Sequence, residues 1–163
     1  MATKASFTPE EWALLLQSPM VAGMIVSAAD PSGLFGMLKE SFAAGGALVQ
    51  AKADLGASPL VKAVAADFAT AEGRTAARDG LKARLSGGTP GEVKARSLAT
   101  LQQVSMLLAA KAPEDAATFK AWLTGVAQRV AEAAEEGGFL GVGGVPVSDA
   151  EKATLAEIHT ALA

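Results

Sequence analysis

His159 is the only imidazole in this 163-residue chain and cysteine is absent, which together decide most of the chemistry open to it. Without a thiol there is no disulfide framework, no thiolate nucleophile, no Cys-ligated zinc and no Cys-held iron–sulfur centre. One histidine would need several carboxylates to converge on it before it could hold zinc. Its neighbours Glu151 and Glu157 do not stand at the Glu-x-x-His spacing that puts two ligands on one inward helix face, and that motif occurs nowhere in the chain. His159 therefore reads as a surface or helix-end residue. Acid–base work would fall to Asp30, Asp54, Asp67, Glu72 and Asp79, which are scattered and read as a solvated face.

Three other groups of residues stand out. Arg74, Arg78 and Lys82 recur every four residues and share one helix face, and Arg84, Lys94 and Arg96 extend the positive charge across Gly87-Gly88. This is a candidate anion patch, but no aromatic side chains interleave with it, unlike a nucleic-acid surface. Met20, Met24 and Met37, with Phe35, form a soft cluster around Asp30-Pro31-Ser32-Gly33, suited to core filling or to an apolar partner. The segment Gly137-Gly138-Phe139-Leu140-Gly141-Val142-Gly143-Gly144-Val145-Pro146-Val147 follows a helix rather than a strand, and the next lysine is Lys152. It is therefore not a phosphate loop. Phe139, Leu140, Gly141, Gly143 and Gly144 are instead read as a shaped crossover and candidate partner contact. Glu132, Glu135 and Glu136 crowd a helix C-terminus, where the dipole disfavours anions, and Arg129 is expected to offset Glu132.

The elements that must position these groups are marked by helix-start signals. Ser or Thr followed by Pro occurs at Thr8-Pro9, Ser18-Pro19, Ser58-Pro59 and Thr89-Pro90, each offering a capping oxygen and a preset first φ. Glu11 and Glu92 complete capping boxes, Ser148 with Glu151 makes another, and Ala112-Pro113-Glu114-Asp115 gives a start with acids in the first turn. Apolar residues then keep helical spacing: Leu98, Leu101, Val104 and Leu108 in a helix over 90–111; Phe119, Trp122, Leu123, Val126 and Val130 over 113–136; Leu155, Ile158 and Leu162 in the last helix. A further helix is expected over 33–53, and 59–85 reads as one kinked helix or two, with Gly73 and Gly80 as weak points. Ser18-Pro19-Met20-Val21 and Ser58-Pro59-Leu60-Val61 form a faint internal echo. No segment alternates in the manner of a strand. The expected fold is an all-α, single-domain antiparallel bundle of six or seven helices over 1–163, with Trp12 and Trp122 as large anchors in a core of small side chains.

Composition agrees. Half the residues are apolar, enough for one core, and the net charge of −3 gives no global attraction to nucleic acid or anionic lipid. The mean hydropathy of +0.30 comes largely from alanine. The strongest apolar run, Met20 to Ala29, is half the roughly 20 residues a membrane span needs, and Glu10 and Glu11 occupy the place of a secretory signal's cationic flank. A cytoplasmic protein with its amino terminus intact is expected.

The residues Phe119-Lys120-Ala121-Trp122-Leu123, Val126 to Ala133, Glu136 to Gly144 and Val147-Ser148-Asp149-Ala150-Glu151 resemble a group of small bacterial all-helical proteins with no assigned activity. The resemblance covers about a quarter of the chain and implies a fold but no site. The Val-Ser-x-x-Glu start and multi-helix layout are also similar, more loosely, to TerB-type tellurite-resistance domains, whose acidic loops are associated with metal. Asp30-Pro31-Ser32-Gly33 matches that family's acidic turn only in part, so no ligand carries over. The leading expectation is a non-enzymatic helical bundle that binds a protein partner or itself and needs no cofactor. The alternatives are a TerB-like carboxylate module using Asp30 with Glu40 or Asp67 with Glu72, and a small-molecule hydrolase, for which no nucleophile–base pair is visible.

Overall fold

The computed structural model describes residues 2–29, 56–135 and 147–163. The helix expected over 33–53, Met37, Phe35, Asp30, Glu40 and Asp54, and the segment with Phe139, Leu140, Gly141, Gly143 and Gly144 lie outside the described residues. The fold is an all-α bundle. Among the described residues a short 3-10 turn, Lys4–Ser6, precedes six α-helices: α1 Pro9–Ser27, α2 Pro59–Phe68, α3 Ala71–Leu85, α4 Pro90–Lys111, α5 Pro113–Glu135 and α6 Asp149–Leu162.

The hydroxyl caps are made as their chemistry requires. Thr8, Ser58, Thr89 and Ser148 accept hydrogen bonds from the backbone N–H three residues on, and Glu11, Glu92 and Glu151 return the bond in three of them. Ser18-Pro19 is the exception and corrects the sequence reading, because it lies inside α1 rather than at a helix start. Proline at position 19 has no N–H for the Leu15 carbonyl, four residues back, and the buried Ser18 hydroxyl donates to that carbonyl at 2.7 Å instead. The echo between Ser18-Pro19 and Ser58-Pro59 thus joins a mid-helix device to a cap and carries no structural equivalence.

Helix α1 packs against each of the five other described helices. It carries no charge between Glu11 and Asp30 and buries residues on every side, from Leu14 through Val26. A helix apolar all round is either central or in lipid. Here it is central, and no helix among the described residues is long and apolar enough to cross a membrane. Gly23 lets α1 approach α5 closely, since a Cβ there would lie 3.3 Å from the Val130 methyl. Leu60, Val64, Leu101, Val104, Leu108, Phe119, Leu123, Val130 and Ile158 complete the buried cluster. Trp12 belongs to this core, but Trp122 is only half-buried, set edge-on to Phe119 at 5.1 Å with its indole N–H buried and unpaired.

The stretch 59–85 is two helices. Thr70 caps α3, accepting from Gly73 N–H at 2.9 Å and donating to the Asp67 carbonyl at 2.6 Å. The amino-terminal stretch is tied down from both sides: Ala2 N–H donates to the buried Asp115 carboxylate at 3.1 Å, and Lys111 pairs with Glu11 at 2.6 Å.

Candidate functional site

The corner between α2 and α3 is the tightest point of the bundle that the glycines reveal. The Asp67 carbonyl accepts from both the N–H and the hydroxyl of Thr70, and the start of α3 sits so close above it that a Cβ on Gly73 would lie 2.0 Å from that oxygen. Arg74 locks the corner further by donating to the Ala69 carbonyl at 2.6 Å. Held this way, the Asp67 carboxylate faces the first turns of α1. There the Trp12 indole N–H donates to its Oδ2 at 2.6 Å, and the Lys4 ammonium reaches the same oxygen at 2.8 Å. The Lys4 Nζ also lies 5.8 Å from the centre of the Trp12 ring, within cation–π reach, and the Phe7 ring is tilted against that indole with centroids 5.9 Å apart.

These residues border a groove of about 610 Å³ between the amino-terminal turn, α1, α2 and α3. Phe7, Pro9, Trp12, Ala13, Leu16 and Ala76 give it apolar walls, while Lys4, Thr8, Asp67 and Glu72 supply the polar groups. Burial pushes the Asp67 carboxyl up, but the hydrogen bonds from Lys4 and Trp12 and the Lys4 charge outweigh it and hold the group below the ordinary aspartate value. A carboxylate so stabilised is a poor proton acceptor, and the Thr8 hydroxyl is engaged in capping α1. Asp67 and Thr8 are thus both engaged in fixed contacts, while Glu72 stands on the same groove without an ion pair among the described residues.

Sequence alone predicts a solvated face for Asp67, whereas in the structure its side chain is 20% exposed and accepts from two donors. Of the candidates taken from sequence, Asp67 and Glu72 meet on this groove and the others described do not. Arg74, Arg78 and Lys82 are exposed along α3, as their spacing requires. The wider basic patch is dispersed by internal contacts: Arg84 donates to Gln103, Arg96 to the carbonyls of Ser86 and Gly87 at a turn where both glycines have positive φ, and Lys94 pairs with Glu157. Only Arg78 and Lys82 of that patch have no hydrogen bond or ion pair among the described residues. Met20 packs half-buried on the core and Met24 is half-buried in α1. His159 is exposed in the last turn of α6. Glu132 accepts from Gln128, one turn back at the four-residue spacing, rather than from Arg129. Among the described residues no group of three or more His, Cys, Asp or Glu could hold a metal ion.

Comparison with protein families, curated proteins and solved structures finds no match to this chain.

Proposed function

We propose that this chain is a non-enzymatic binding protein whose groove between the amino-terminal turn and the α2–α3 corner receives a segment of a protein partner. The observation that carries this reading is the combination of apolar walls, two aromatic rings in tilted contact and an ionised carboxylate already fixed by Trp12. Binding pockets are mostly apolar with a few fixed polar groups that orient the guest, and a site of this size suits one or two side chains of a docked segment. A cytoplasmic setting is part of the proposal, supported by the cysteine-free sequence. The test is photo-crosslinking from a benzophenone side chain at Ala5, on the groove rim, with the exposed Ala153 on α6, which does not line the groove, as the control. A discrete protein captured from Ala5 but not Ala153, and lost when Ala76→Trp fills the groove, is the expected result. Equal capture from both positions, or capture indifferent to Ala76→Trp, overturns it.

Self-association is a second reading, favoured by one observation. Met106 is 65% exposed on α4, where Ala99, Gln102, Gln103, Ala109 and Ala110 are also exposed and none is charged. Light scattering with Met106→Glu tests it: a dimer that dissociates in the variant supports the reading, and a monomer at high concentration in both refutes it. The carboxylate-module reading finds Asp67 and Glu72 on one groove, and a melting temperature unmoved by divalent cations would dismiss it for this pair.

A further inference from the structure

We infer that the polar end of this groove is a primary-ammonium site, occupied in the free protein by Lys4 and taken over on binding by a lysine side chain of the partner; the inference rests on the groove being the docking surface. Lys4 shows what the site accepts. Its ammonium lies 2.8 Å from Asp67 Oδ2 and 5.8 Å from the Trp12 ring centre, so one cation is served by a carboxylate and an aromatic face together.

Two features make the resident displaceable. The Lys4 side chain is 64% exposed, and exposed pairs of this kind hold weakly. Asp67 keeps a second donor without it, because the Trp12 indole N–H holds the same oxygen at 2.6 Å and the corner at Thr70 and Gly73 fixes the backbone from which the side chain projects. Charge complementarity names the guest. The groove carries two carboxylates, Asp67 and Glu72, against the single ammonium of Lys4, and Glu72 has no ion pair among the described residues. An entering lysine flanked by apolar residues would satisfy the carboxylates, lay its stem on Trp12 and fill the apolar walls. Lys4 would be released to water, where its exposed position already leaves most of it.

The experiment follows Trp12 fluorescence and its indole N–H resonance in a Trp122→Phe background, which leaves Trp12 as the sole tryptophan. The probes are acetyl-leucyl-lysyl-leucine amide, the same peptide with norleucine for lysine, and hexylammonium chloride. Expected is saturable binding of the lysyl peptide, at least fivefold weaker for the norleucine peptide, strengthened severalfold by Lys4→Met, which keeps the apolar stem and removes the competitor, and lost on Asp67→Asn. Lys4→Gln repeats the gain should Lys4→Met misfold. Equal affinity for the two peptides, or no gain in both Lys4 variants, overturns the ammonium site while leaving the docking groove standing. Hexylammonium bound as tightly as the lysyl peptide overturns the protein source of the ammonium. Binding of no probe, together with failed crosslinking from Ala5, removes the docking reading itself.

Discussion

Replacing Gly73 by alanine should separate a glycine required by close packing from one that is merely tolerated. In a helix, Gly→Ala ordinarily gains about 0.8–1 kcal/mol from restricted backbone entropy. At Gly125, in the middle of α5, nothing lies within 4 Å of the added Cβ, so Gly125→Ala should realise about 0.5–1 kcal/mol of that gain. At Gly73 the same Cβ would stand 2.0 Å from the Asp67 carbonyl oxygen and 2.6 Å from its carbon. Both are backbone atoms, so relief requires α2 and α3 to part by more than an ångström. Overpacking of this kind costs about 1–3 kcal/mol and sometimes more, and the Thr70 bonds across the corner weaken with it. The net expectation is a loss of about 2 kcal/mol for Gly73→Ala, since steric cost exceeds the propensity gain. For a chain of this length that is a melting temperature lowered by about 4–8 °C, against a rise of about 1–4 °C for Gly125→Ala. Thermal unfolding followed by circular dichroism reads both, and Trp12 fluorescence should shift in the Gly73 variant because Asp67 moves with the corner. A Gly73→Ala protein that melts at or above the parent would refute the claim that this close approach positions the site.

Ser18→Ala should cost about 1–3 kcal/mol by orphaning the buried Leu15 carbonyl, and clearly less in a Pro19→Ala background where a backbone N–H returns; equal costs in a double-mutant cycle would discount the compensation. Phe119→Ala should lose about 3–5 kcal/mol, whereas Trp122→Phe should stay within about 1 kcal/mol because it deletes a buried N–H that has no partner, and denaturant unfolding compares them. Asp67 and Glu11 have folded-state pKa values below their ordinary ones, Asp67 through Lys4 and Trp12 against the opposing effect of burial, and Glu11 chiefly through Lys111 and the Thr8 N–H. Their stabilisation is therefore full above the unfolded carboxylate pKa of about 4 and is lost as pH falls through the lowered folded values. Melting temperature against pH should drop below about pH 4, less steeply in Asp67→Asn; parallel curves would contradict the assignment.

Much of the architecture could be read locally. A cap is chemistry between a hydroxyl and an N–H three residues on, so Thr8, Ser58, Thr89 and Ser148 announce their helices without help from the rest of the chain. The same local rule fails at Ser18, where an identical dipeptide repairs a helix interior, because only burial against the other helices keeps α1 running through Pro19. Thr70 is not legible as a cap because neither proline nor a returning glutamate accompanies it; the one available signal is a Thr three residues before a Gly.

Sequence by itself determined the helix periods, most of their starts, the apolar stripes of α4 and α6 and the absence of thiol chemistry, since each depends on residues within a few turns of one another. Tertiary structure alone decided the groove. Asp67 meets Lys4 and Trp12 across 63 and 55 residues, and Asp115 meets Ala2 across 113, separations that leave no periodicity to read. An isolated aspartate in a sequence looks solvated wherever it stands. Whether it becomes a fixed charge depends on which donors the packing of α1 against α2 and α3 carries to it.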